Sequence, residues 1–207
     1  MPSPRRRKST SASSPAVRRP TDVRLYPIGK PWHVRLASAR ETQRLGRILG
    51  QLTGGGDVLA LFGDLGTGKT TLVRGLAEGI QAEPSTVSSP TFTLIQEYHG
   101  RLRLIHTDLY RLTAAQLEDT GLSEYLDDRS VAAIEWAERW IGGLPEDRLD
   151  IHLVHRTAET RQATLTARGP QAARLLSAVR ARLTHPSPTR ARRQTGVQLP
   201  RSRRTSR

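Results

Sequence analysis

Cysteine does not occur anywhere in the 207 residues. Its absence removes disulfide bracing, thiol redox chemistry, thiolate metal sites and a cysteine nucleophile together, and it fits a reducing cytoplasm. Long apolar runs are missing too. A membrane span needs roughly 18 consecutive apolar residues, whereas the longer runs here, such as VLALF at 58–62, are strand-sized. No membrane role is expected. Acidic residues are scarce at both ends: residues 1–30 hold eight Lys and Arg against one acid, and residues 171–207 hold ten Arg and no acid.

The formal net charge of +14 would ordinarily point to nucleic acid, but its position changes the inference. Residues 31–170 carry 15 basic and 18 acidic residues, so the basicity belongs to the ends. Both ends are rich in Ser, Thr, Pro and Arg and too poor in apolar residues to build a core. They read as basic tails, at 1–32 and after a short helix in 171–207, suited to weak, salt-dependent contact with polyanions. The first 21 residues, Arg-rich and acid-free, also match the composition of a transit peptide.

What is present between the tails, over 33–170, alternates strand-like and helix-like stretches. HVRLA (33–37) precedes a helical run from Ser38 to Leu52, with Ser38 and Glu41 spaced as a capping box. VLALF is a continuous apolar strand, GDLGTGKT (63–70) a glycine loop, and TTLVRGLAEGI a helix. Further strands are expected at 93–98, 102–110, 131–136, 150–155 and 163–167, and a helix over 112–126 with a break near Gly121. TLIQEY and LRLIHTDLY, separated by HGR, read as a hairpin. The pattern predicts one α/β domain of the P-loop NTPase-like class, with a mixed central sheet flanked by helices.

Gly63, Gly68, Lys69 and Thr70 match G-x-x-x-x-G-K-[ST]. Glycines allow successive backbone N–H groups to turn inward as an anion nest, and the following helix offers its positive end. Lys69 is then the cation for the β- and γ-phosphates, and the Thr70 hydroxyl a ligand for Mg²⁺. No N-K-x-D guanine motif occurs, so ATP is the expected nucleotide, and no inserted lid segment suggests a small-molecule kinase.

A second carboxylate at a strand end usually serves the metal. Asp108 ends LRLIHTD and Glu135 follows VAAI; the more continuously apolar second run favours Glu135, with Asp108 orienting water or metal. Ser89, Pro90 and Thr91 lie where P-loop hydrolases sense the γ-phosphate. Trp136 is either core or a cover over the site, His106 is read as structural for want of metal-ligand partners, and Asp64 is unusual beside a phosphate.

GDLGTGKTTLVRG, SSPTFTLIQEY, HTDLYRL and IEWAER, in that order, resemble the TsaE (YjeE-type) family of bacterial tRNA threonylcarbamoyladenosine biosynthesis ATPases over residues 33–168. The resemblance implies a weak, Mg²⁺-dependent cytoplasmic ATPase. It would act with TsaD and TsaB to place threonylcarbamoyl on the adenosine beside the anticodon, meeting tRNA only through that complex and not performing the transfer itself. It further implies that Asp64, Leu65, Gly66, Thr67, Gly68, Lys69, Thr70 and Thr71 hold ATP, that Glu135 meets the metal, and that Asp108 is catalytic. Ser89 and Thr91 would form a switch, Trp136 would lie near the nucleotide, and Arg161, with Ala39 or its neighbours, near the base. Two other readings remain open: a P-loop small-molecule kinase, and an ATP-regulated nucleic-acid-binding protein using its basic tails.

Overall fold

A computed structural model of the chain describes residues 27–84, 87–90, 94–113, 116–117 and 121–184. Seven strands form one sheet: β1 (Trp32–Leu36), β2 (Val58–Phe62), β3 (Ile95–His99), β4 (Arg103–Asp108), β5 (Ser130–Glu135), β6 (Arg148–His155) and β7 (Arg161–Arg168). Their order is β1-β7-β6-β2-β5-β4-β3. The four central strands β6, β2, β5 and β4 run parallel, while β1–β7, β6–β7 and β3–β4 are antiparallel. The expected mixed sheet and the β3–β4 hairpin are both present. β2 and β5 have every residue buried, which is why they read as unbroken apolar runs: both faces of a central parallel strand are covered.

Three helices, α1 (Ala39–Leu52), α2 (Lys69–Gly79) and α3 (Pro170–Thr184), cover one face. Leu45 and Leu49 of α1, Leu72 and Leu76 of α2, and Leu175 and Val179 of α3 meet Leu59, Leu61, Val131 and Ala133 of the sheet in one cluster. The opposite face of the central strands, with Val58, Ala60, Phe62, Ile105 and Ile134, lies under Leu109, Leu122, Ala137 and Leu144. The Ser38 hydroxyl caps α1 by accepting from the Glu41 amide at 3.3 Å. Glu41 reaches back to the amide of Ala37 at 2.8 Å, one residue earlier than in the capping box expected.

α1 and α2 cross backbone to backbone. A methyl group on Gly46 would sit 2.0 Å from the Leu72 carbonyl oxygen, on Gly50 2.2 Å from that of Leu76, on Gly75 2.0 Å from that of Gln43, and on Gly79 2.3 Å from that of Arg47. Each helix thus presents two glycines four residues apart to its partner's carbonyls, so the loop helix is locked to the helix before it.

The stretch 112–126 carries the break expected near Gly121. Among its described residues, 116 and 117 are helical, and Leu122–Tyr125 forms a separate 3₁₀ turn after Gly121, whose φ of 61° interrupts the chain direction. Residues 114–115 and 118–120, Thr91, and both tails outside 27–184 lie beyond the described residues.

Candidate functional site

The parallel strands end at one edge of the sheet, where an open α/β sheet offers its crevice. There β2 runs into the loop, and three of the loop's glycines have positive φ: 130° at Gly63, 79° at Gly66 and 102° at Gly68. Gly63 has a second constraint, since a Cβ there would lie 2.2 Å from the Leu153 carbonyl oxygen of β6. Thr67 is buried and tightens the turn, its hydroxyl donating to the Asp64 carbonyl at 2.8 Å. Asp64, Leu65 and Gly66 form the exposed tip.

Lys69, 4% exposed, opens α2. Its ammonium donates to the carbonyls of Gly63 and, at 3.0 Å, Asp64, and lies 3.8 Å from the centroid of the Trp136 ring. Burial lowers its pKa from the ordinary lysine value, while the carboxylates of Glu135, Glu138, Asp108 and Asp64 act in the opposite direction. The ammonium is therefore a desolvated donor held by neutral carbonyls and an aromatic face, a state an anionic ligand would improve.

Beside it, the Thr70 hydroxyl donates to Glu135 Oε2 at 3.1 Å. Glu135 is 2% exposed, and its other oxygen, Oε1, lies 2.9 Å from His106 Nε2. Asp108 is the direct neighbour of Glu135 in the β4–β5 register, so the two carboxylates stand side by side on one face. The Ser89 hydroxyl donates to Asp108 Oδ2, and the Tyr110 amide donates to Oδ1 at 2.9 Å. The two strand-end acids considered from the sequence thus share one site.

Trp136 has φ 59° and ψ 41°, a left-handed conformation that turns the chain sharply out of β5 and swings the indole over Lys69. It stacks on Tyr110 with centroids 4.7 Å apart, and the Arg139 guanidinium lies 5.6 Å from the Tyr110 ring. A cavity of about 470 Å³ opens here, lined by Leu65, Gly66, Gly68, Lys69, Thr70 and Thr71, and across from them by Ser89, Asp108, Tyr110, Arg111, Glu135 and Trp136. Arg161 is not among its walls. It lies beside the loop, its Nε 3.9 Å from where a Cβ on Gly68 would sit, with Thr42 of α1 at 3.5 Å from the same point.

Sequence reasoning missed Tyr110 and Arg111 as walls and His106 as the partner of Glu135. The signal for His106 was its position two residues before Asp108, which sets both on the same face of one strand.

Anion and metal chemistry both fit these residues. The loop is rich in donors, and Thr70, Glu135 and Asp108 supply hard oxygens. Among the described residues no group of three or more His, Asp or Glu could hold a metal alone; a cation here would complete its shell with phosphate oxygens and water, as Mg²⁺ characteristically does.

Fold and loop define a P-loop NTPase-like α/β domain. The family model "Threonylcarbamoyl adenosine biosynthesis protein TsaE" matches residues 36–163, and the chain belongs to the TsaE family. The chain is 41% identical over 136 residues to the tRNA threonylcarbamoyladenosine biosynthesis protein TsaE of Bacillus subtilis, covering 65% of this chain and 85% of that one. It is 44% identical over 117 residues to that of Treponema pallidum, covering 56% and 86%. The crystal structure of Bacillus subtilis YdiB superposes with a TM-score of 0.63 at 34% identity, covering 75% of this chain and 97% of that one. Among the described residues no helix is long and apolar enough to cross a membrane.

Proposed function

We propose that this chain binds ATP with Mg²⁺ in the 470 Å³ cavity and hydrolyses it slowly. In this role it is the cytoplasmic energy-coupling subunit for threonylcarbamoyladenosine modification of tRNA, working with TsaD and TsaB. The observation that carries the reading is the convergence of Lys69, Thr70, Glu135 and Asp108 on one cavity. Family membership supports the pathway.

Each residue has a part in this reading. Loop amides from Asp64 to Thr71 and the Lys69 ammonium hold the phosphates. Thr70 and Glu135 hold Mg²⁺, which when bound neutralises charge on the phosphate oxygens. Asp108, steadied by Ser89 and Tyr110, orients the attacking water and accepts its proton. Trp136 and Tyr110 wall the site against solvent. Arg161 and the α1 residues beside Gly68 serve the base side.

ATP hydrolysis by the purified chain, alone and with TsaD and TsaB, tests the reading, with Lys69→Ala as control. Slow turnover that the partners alter and Lys69→Ala abolishes is expected. Turnover indifferent to both partners would overturn the pathway assignment, and phosphate passing to an acceptor instead of water would make the chain a kinase.

A further inference from the structure

His106 lies behind the cavity wall, against Glu135, yet no part of the proposed chemistry uses it. It is fully buried. Its Nε2 lies 2.9 Å from Glu135 Oε1, and its Nδ1 is buried with no hydrogen-bond partner among the described residues. That asymmetry fixes the proton. A carboxylate oxygen only accepts, so Nε2 carries the hydrogen, and a bare Nδ1 lone pair is a cheaper orphan than an unpartnered N–H donor would be. The ring has Tyr98 beside it, 6.2 Å away centroid to centroid, and is wholly enclosed, so it has little room to turn.

The second oxygen of Glu135 accepts from Thr70 at 3.1 Å. One carboxylate therefore has one oxygen tied to the strand beside it and the other aimed at the phosphate-loop helix. Without the histidine, a glutamate has three side-chain torsions free to swing Oε2 away from Thr70. The geometry points to His106 as a positioning residue: it holds Glu135 in the one orientation that presents Oε2 beside the Thr70 hydroxyl for the metal. This inference rests on the reading of Glu135 as the metal-side acid. It also accounts for a buried polar ring where an apolar one would pack without an orphaned nitrogen.

Three variants of the full chain test it: His106→Leu, which removes the donor; His106→Gln, whose amide can donate at nearly the same reach; and Glu135→Gln. Calorimetry gives ADP affinity in EDTA and across a Mg²⁺ titration, and steady-state hydrolysis gives the split between kcat and KM. Loss of a hydrogen-bond partner that orients a metal ligand typically weakens the metal site on the order of 10–100-fold. For His106→Leu the expected result is a Mg²⁺ requirement raised by about tenfold or more, with ADP affinity in EDTA and the KM for ATP within about twofold of wild type. His106→Gln should recover most of the Mg²⁺ response.

Wild-type Mg²⁺ dependence in His106→Leu, alongside a defect in Glu135→Gln, would overturn the positioning role alone. Wild-type Mg²⁺ dependence in Glu135→Gln would overturn the metal reading beneath it. ADP affinity in EDTA falling as far as the Mg²⁺ response would reduce His106 to a packing residue. If His106→Leu does not fold, His106→Gln is set against His106→Asn, whose shorter amide falls short of Glu135; equal Mg²⁺ responses in those two would overturn the proposal.

Discussion

The hydroxyl of Thr70 donates to Oε2 of Glu135 at 3.1 Å, joining the first turn of α2 to the end of β5. Asp108, the register neighbour of Glu135, instead receives its hydrogen bonds from Ser89 and Tyr110. The two acids therefore belong to different halves of the site and should separate by mutation. Asp108→Asn is expected to lower ATP turnover by on the order of 10²–10⁴-fold, the usual range for a lost general base, while leaving Mg-ADP affinity within a few-fold. Single-turnover kinetics beside calorimetry would check this; an equal loss of binding would make Asp108 a ligand-holding residue.

Lys69 is held by loop carbonyls and the face of Trp136. Removing a charged donor to a phosphate costs about 1.5–3 kcal/mol, so Lys69→Ala should weaken ATP binding roughly ten- to a hundredfold. Nucleotide that draws the ammonium from the indole should also change tryptophan emission. Trp136→Phe is expected to lose most of that change, whereas replacing Trp32 or Trp140 should preserve it.

The α1–α2 crossing admits no side chain. Gly46→Ala or Gly75→Ala sets a methyl 2.0 Å from a backbone oxygen, with no flexible group to yield. Each should destabilise the fold by about 1–3 kcal/mol or more, measured by urea unfolding. Gly54→Ala, where a Cβ meets nothing within 4 Å, is the control and should be close to neutral.

His152 stacks on Phe62 with centroids 4.3 Å apart and planes at 9°. The ring is otherwise exposed, but its desolvation lowers its pKa, against the opposing charge of Asp150. A histidine whose folded pKa lies below its unfolded value, near 6.5, binds its proton more readily when unfolded. Its contribution is present above about pH 6.5 and is lost as pH falls through the window below. His152→Phe, which keeps the stack, should show a smaller fall in stability between pH 7 and 5 than wild type. Identical slopes in denaturant titrations would remove His152 as the source.

Much of this was readable before any coordinates. Continuous apolar runs announced β2 and β5 because central parallel strands are covered on both faces, and the loop glycines announced the left-handed turns at Gly63, Gly66 and Gly68 because few other residues take those angles. In the segment after β4, Leu112, Leu117, Leu122 and Leu126 recur at near-helical spacing and pack onto the sheet, and Gly121 marked in the sequence the break that the left-handed backbone there makes. His106 was read as structural for want of metal-ligand partners at suitable spacing; its meaning comes from Glu135, 29 residues later, and only strand pairing brings the two together. Trp136 combines both of its expected roles, packing against Tyr110 and covering Lys69.

The paired glycines have a mechanical consequence. Helices that touch through flexible side chains can slide; two that touch through their carbonyls travel as one body. Any shift of the phosphate-loop helix on taking up or releasing a ligand must carry α1 with it, and α1 follows β1 after only two residues. β1, an edge strand of the sheet, is thereby geared to the loop end of the molecule.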